Sequence, residues 1–235
     1  MQFPIRSPGM PAAAEAHVWL ARLENLPLME PDVPARLGER LSQQRMGQKF
    51  LLRLLLGAYL EMPGRDVELA RGRHGKPCLG PSQAGSGLTF NLSHAGRWLA
   101  IAVGRNAPLG IDIEQRGRKV RWRALARRWF SRDEADWLET LDSELASVAF
   151  LHLWTRREAI IKAMGETIAG HISAVVLAPG ESADLVSLPS EWPPASGWSV
   201  LDITSGDPLL GCLASPEPLQ QLRRFELEMP GTGLA

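Results

Sequence analysis

Leu109-Gly110-Ile111-Asp112-Ile113-Glu114 sets two carboxylates into an apolar run, two residues apart. In an extended strand such residues point to the same side, so Asp112 and Glu114 project together while Ile111 and Ile113 face a core. Two carboxylates so placed repel and resist joint ionisation unless a cation lies between them. A lone Asp-x-Glu reads as the solvated face of an edge strand; the apolar alternation around this one argues for a site. Downstream, Trp154-Thr155-Arg156-Arg157-Glu158-Ala159-Ile160-Ile161-Lys162 reads as a helix on which Glu158 and Lys162 share one face. A strand with two acids beside a helix with one acid and one amine suits a magnesium ion carrying phosphate. That ion is usually held by one or two carboxylates, with water and phosphate completing its shell.

Working outward, residues 17–23 read as a first strand, and 33–59 carry helical periodicity in two pieces joined near Gly47. Residues 67–70, 88–92 and 98–103 read as strands, the last two joined by a tight turn at His94-Ala95-Gly96. A short helix is expected over 123–130. Ser131 with Glu134 three later is a capping box opening another, and a long helix follows over 144–164, with Gly165 placed to end it. Residues 172–177, 198–203, 209–214 and 223–227 are strand-like, with a proline- and serine-rich loop at 179–196. Helix-then-strands therefore occurs twice, with a break near 106–110. The division expected is an irregular lead-in (1–14), an N-terminal half (15–108) and a C-terminal half (109–235).

The 26 basic and 26 acidic residues balance, so net charge predicts neither nucleic acid nor membrane as a partner. Arg116, Arg118, Lys119, Arg121, Arg123, Arg127, Arg128 and Arg132 nevertheless form a block free of acids, followed by an acidic stretch from Asp133 to Glu144. Such a block reads as a docking face for an acidic protein, as a helix answered by the acidic one after it, or, least in keeping with the balance, as a nucleic-acid patch. Only Cys78 and Cys212 are present, far apart, which fits a reducing compartment. The first residues lack a basic-then-apolar secretory pattern, and the apolar run at 51–60 is broken by Arg53. A soluble, cytoplasmic protein is the expectation.

Five stretches, in order, carry a family resemblance: Gly75-Lys76-Pro77, Phe90-Asn91-Leu92-Ser93-His94, Gly110-Ile111-Asp112-Ile113-Glu114, Trp129-Phe130-Ser131 and Trp154 to Lys162. Together they resemble the 4′-phosphopantetheinyl transferases of the broad-specificity type that serve polyketide, peptide and fatty-acid synthases. The resemblance implies an α+β (α/β) fold of two similar halves related by a pseudo-twofold, with mostly antiparallel sheets, a long helix packed on each, and the active site at the seam. It implies transfer of 4′-phosphopantetheine from coenzyme A to a serine of an acyl or peptidyl carrier protein, releasing adenosine 3′,5′-bisphosphate, by a monomer. Magnesium, or manganese in its place, would be bound by Asp112, Glu114 and Glu158. Glu158 would also serve as base for the serine proton, directly or through a metal-bound water, and Lys162 would steady charge on the leaving oxygen.

Coenzyme A, with a pyrophosphate and a 3′-phosphate, needs several cations. Lys76, between Gly75 and Pro77 in a rigid turn, is one; His94 with Ser93 is a second group at a strand end. Asp112, as a metal ligand, is placed at the coenzyme A site as well. Arg53 interrupts an apolar helix face, where a charge needs a partner. A core-edge acid and a phosphate are equal readings of it, and the resemblance favours phosphate. Arg45, Lys49, Arg73 and His74 are weaker helpers, and Trp154 reads as core. The family usually has Lys where this chain has Arg157, and a guanidinium does not simply replace an amine. Two other functions would use the same features. A magnesium-dependent phosphohydrolase or nuclease would need the three acids but no protein acceptor; a binding module would need only the Arg block.

Overall fold

The computed structural model describes residues 5, 7–23, 37–204 and 208–227, the side chains of 37–44 excepted. In chain order these form β1 (Glu15–Arg22), α1 (Leu37–Tyr59), β2 (Leu69–Arg71), β3 (Pro77–Leu79), β4 (Leu88–Ala95), β5 (Trp98–Arg105) and β6 (Gly110–Gln115). There follow α2 (Trp122–Trp129), α3 (Arg132–Thr140), α4 (Ser143–Ala163), α5 (Ile168–His171), β7 (Val176–Leu177), β8 (Leu185–Ser187), β9 (Ser199–Asp202), β10 (Leu209–Ser215) and β11 (Gln221–Leu227). One sheet has the order β11-β1-β5-β4, parallel only between β1 and β11; a second, antiparallel throughout, has the order β6-β10-β9. The α+β class with mostly antiparallel sheets and a long helix on each is thus what the chain adopts. β11, the last strand among the described residues, joins the sheet formed by strands of 15–108.

Strand alternation sets the layers. On β1 and β5, Trp19, Ala21, Leu99, Ile101 and Val103 face Leu51, Leu52, Leu55, Leu56 and Tyr59 of α1. The residues between them, Ala16, Val18, Ala100 and Ala102, face the other way, onto Ile111 and Ile113 of β6 and Leu209 and Leu213 of β10. The remaining face of β10, with Cys212 and Ala214, packs under Phe150, Leu153, Ala159 and Ile160 of α4. The order is helix, sheet, sheet, helix. Because Ile111 and Ile113 are committed to the inter-sheet core, Asp112 and Glu114 are turned toward α4.

Gly110 permits the approach of β6 to that helix. A Cβ at this position would lie inside the contact radii of the Ala159 carbonyl oxygen and the Ala163 amide nitrogen. Gly110→Ala is therefore expected to lower stability by about 1–3 kcal/mol through overpacking, read as a lower denaturant midpoint. An unchanged midpoint would mean that helix and strand separate freely.

Local differences from the sequence reading have physical causes. The long first helix is unbroken at the buried Gly47, since one interior glycine costs only about 1 kcal/mol against alanine. Residues 33–36 of its expected start lie outside the described residues, as do 1–4 and 6 of the lead-in. The β4–β5 turn is Gly96-Arg97, because Ala95 still pairs with Trp98 and Gly96 takes the positive φ of 58°. Pro77 opens a short strand rather than sitting in the turn, and the turn itself is Arg73–Gly75. The loop at 179–196 contains β8, whose Leu185 pairs with Leu177; of 172–177 only the last two residues are strand.

Candidate active site

β4 of the first sheet and β6 of the second lie side by side, tied where the Asn91 side-chain oxygen accepts from the Ile111 amide at 2.9 Å. This contact brings Ser93 next to Asp112. The Ser93 hydroxyl donates to Asp112 Oδ1 at 2.7 Å. From α4, the Lys162 ammonium donates to the same Oδ1 at 2.6 Å, to Ser93 Oγ at 3.1 Å and to the Ile111 carbonyl at 3.3 Å. One turn earlier, Glu158 Oε2 lies 3.6 Å from that ammonium, and Glu158 Oε1 accepts from the Trp154 indole at 2.6 Å. Glu114 shares the face of Asp112 and is held by Arg118 four residues on.

Lys76 reaches the cluster from the far side. It is largely buried, donating to the Lys162 carbonyl at 2.6 Å and to the Leu109 carbonyl at 3.4 Å. With Pro77, Arg73, Phe90, Pro108 and Leu109 it lines a cavity of about 260 Å³. Burial, then the like charge of Lys162, bring the Lys76 amine down to about 8.

The acids are crowded. Burial, then the charge of Asp112, push Glu158 up to about 7 against the opposing pull of Lys162. Burial also raises Glu114, with Arg118 opposing. Asp112 Oδ2 is buried and has no hydrogen-bond partner among the described residues. An orphaned carboxylate oxygen beside two carboxyls whose ionisation burial disfavours is the donor set a hard divalent cation relieves, so the residues fit magnesium or manganese in chemistry. Among the described residues no three His, Cys, Asp or Glu side chains stand preassembled as a metal shell; Lys162 holds the ground between Asp112 and Glu158.

Of the residues singled out in the sequence, Ser93, Asp112, Glu158 and Lys162 are in direct contact or one contact apart, Glu114 adjoins them, and Lys76 and Pro77 flank them. Two expectations about the surroundings change. Arg53 does not interrupt the apolar face of α1: Leu51, Leu52, Leu55 and Leu56 are buried and Arg53 is exposed beside them. His94 is exposed on β4, whereas its neighbour Ser93 is buried. Among the described residues neither Arg53 nor His94 makes a side-chain hydrogen bond or ion pair. The role of Trp154 was missed: beyond packing on Phe150, it orients Glu158. The four-residue spacing of an indole and a carboxylate on one helix was the available signal.

Arg157, at the position of departure, lies away from the acids. It is fully buried, pairs with Glu134, stacks over Phe130 at 3.8 Å and donates to the Leu153 carbonyl at 3.2 Å. The basic block divides. Arg127 pairs with Asp136 at 2.7 Å and Glu139 at 2.9 Å, so the acidic helix α3 answers it. Lys119, Arg121 and Arg123 instead border an open groove of about 460 Å³ with Trp122, Ser143 and Ser147.

Comparison with known proteins follows the same geometry. Residues 108–196 match the model of the 4′-phosphopantetheinyl transferase superfamily, and residues 32–106 match that of the 4′-phosphopantetheinyl transferase N-terminal region. The chain is 34% identical over 165 residues to the 4′-phosphopantetheinyl transferase HetI of Nostoc sp., covering 70% of this chain and 67% of that relative. The chain belongs to the 4′-phosphopantetheinyl transferase family. It is 32% identical over 119 residues to the transferase Sfp of Bacillus subtilis, about half of each chain. To the transferase AcpT of Salmonella typhi it is 39% identical over 98 residues, 42% of this chain and 50% of the relative. The two family regions meet between β5 and β6, so the cluster joins Ser93 and Lys76 from the first to Asp112, Glu158 and Lys162 from the second. Among the described residues of this phosphopantetheinyl transferase family member, no helix is long and apolar enough to cross a membrane.

Proposed function

We propose that this chain transfers 4′-phosphopantetheine from coenzyme A to a serine of an acyl or peptidyl carrier protein, in the cytoplasm and as a monomer. Residues 15–108 and 109–235 act as two halves around one site. The observation that carries the reading is the contact of Lys162 with Asp112, Ser93 and Glu158, one cation among groups from both family regions.

Asp112, Glu114 and Glu158 would hold magnesium, which when bound supplies charge neutralisation for the pyrophosphate. Glu158, with one oxygen fixed by Trp154 and its carboxyl poised near neutrality, takes the proton of the carrier serine. The serine oxygen forms a bond to the β-phosphorus of coenzyme A as the bond from that phosphorus to the bridging oxygen breaks. Adenosine 3′,5′-bisphosphate leaves with the electron pair, and Lys162 stabilises the charge on its oxygen. Lys76, Pro77, Ser93, His94 and Arg53 are assigned to coenzyme A. No covalent enzyme intermediate is required.

The test is intact-protein mass spectrometry of apo carrier proteins from fatty-acid, polyketide and peptide synthesis, incubated with the chain, coenzyme A and magnesium. A gain of one phosphopantetheine, abolished by chelator, is the expected result. Hydrolysis of coenzyme A with no gain on any carrier would replace this reading by the phosphohydrolase one.

The groove bordered by Lys119, Arg121 and Arg123 is the docking face assigned to an acidic carrier helix. Reversing the charge of Arg121 and Arg123 is expected to raise the KM for carrier protein roughly tenfold by removing electrostatic steering, with the KM for coenzyme A unchanged. Joint movement of both constants, or of neither, would place docking elsewhere.

A further inference from the structure

Lys162 stands in the last turn of α4, which ends at Ala163. Final carbonyls of a helix lack intrahelical partners, and such turns fray unless something holds them. Here the end is closed from outside. Gly165, at φ 72°, lets its amide return to the Lys162 carbonyl at 3.0 Å, and the Glu166 amide returns to the Ile161 carbonyl at 3.1 Å. The Lys162 carbonyl is also the acceptor for Lys76 at 2.6 Å.

The turn that carries Lys76 is pinned by a carboxylate from the helix end. Glu166 Oε1 lies 2.7 Å from Arg73 Nη1, and Glu166 Oε2 lies 3.2 Å from His74 Nε2. The Glu166 side chain is only 12% exposed, while Arg73 is 73% exposed, so the carboxylate is the buried anchor and the arginine the outer arm. His74 holds φ 54°, a left-handed conformation that a residue with a Cβ keeps only when its surroundings fix it. The 3.2 Å contact with Glu166 is a fixing contact on that residue.

We propose that Glu166 is a positioning residue for the transfer reaction. With Arg73 and His74 it clamps the Gly72–Lys76 turn over the end of α4, keeps Lys76 on the Lys162 carbonyl, and so holds the Lys162 ammonium in front of Asp112 and Ser93. The catalytic consequence rests on the transferase reading; the clamp itself does not. Coenzyme A bound along the same turn would therefore meet a lysine already in register, rather than one at a frayed helix end.

Glu166→Gln in the full chain tests this, because it keeps the shape of the side chain and removes its charge. Hydrogen exchange read by mass spectrometry on the segment 160–166 should accelerate about tenfold, and kcat should fall about tenfold with the KM for carrier protein unchanged. The unfolding midpoint should hardly move, since a pair with so exposed an arm contributes little stability. Arg73→Gln should act in the same direction, and the double variant should be no worse than Glu166→Gln alone. Unchanged exchange at 160–166 would overturn the clamp, and faster exchange with unchanged kcat would overturn its positioning role. If the unaltered chain modified no carrier protein, the transferase reading would fall, and the exchange experiment would still decide the clamp.

Discussion

Glu134→Ala is expected to lower the unfolding free energy by about 3–5 kcal/mol, the usual result of leaving a buried charge without its partner. Glu134 and Arg157 are both fully buried. The same carboxylate accepts from the Ser131 amide at 2.9 Å, closing the capping box of α3, and from the Leu177 amide at 3.1 Å, fixing the end of β7. One residue thus joins a helix start, the long helix and a strand, and alanine leaves all three unsatisfied. Against a total stability of roughly 5–15 kcal/mol for a domain, the loss is large. Denaturant titration measures it. Adding Arg157→Met should recover much of it, because removing both charges avoids the unpaired one. A loss below about 1 kcal/mol for Glu134→Ala, within the range of an exposed pair, would contradict the burial of this pair.

Asp112→Ala is expected to reduce transfer to carrier protein by at least about 10²–10³-fold, the loss that follows removal of one preorganised electrostatic group. Asp112 Oδ1 receives both Lys162 and Ser93, and its other oxygen is the buried orphan. Removal therefore takes from Lys162 its shortest side-chain contact and from the proposed cation site one carboxylate. The fold should persist, because the Lys162 side chain is 24% exposed and water can take the place of its lost partner. Asp112→Asn separates shape from charge: it keeps a side-chain oxygen for Ser93 and Lys162 but offers little to a divalent cation. Transfer by the Asn variant at the unaltered rate would show that the charge is not needed, and the metal assignment would fail with it.

The parts legible in the sequence were those fixed by local rules. Alternation in 109–114 gave the orientation of Asp112, and helical spacing gave the shared face of Glu158 and Lys162. The capping box of Ser131 and Glu134 was readable as it stands. What was hidden depends on which strands meet. Ser93 read as an end-of-strand phosphate group, yet its hydroxyl is committed to Asp112 because β4 lies beside β6, a pairing no local pattern encodes. Lys76 read as a loop amine on a rigid turn; instead it donates to carbonyls at the end of α4 and just before β6. Arg157 read as a departure near the acids, and only the fold reveals a buried partner twenty-three positions earlier.

β11 lies parallel to β1, with Phe225 stacked on Trp19 at 4.4 Å. During synthesis β1 emerges well before β11, which lies about two hundred residues further along the chain. Until then one edge of β1 is an open template for pairing with other chains, and the first sheet cannot close at the pace of its local hairpin. A polypeptide severed near residue 108 would keep that raw edge permanently. The pairing of β1 with β11 therefore argues against dividing the chain near residue 108, and a nascent molecule needs shelter until β11 arrives.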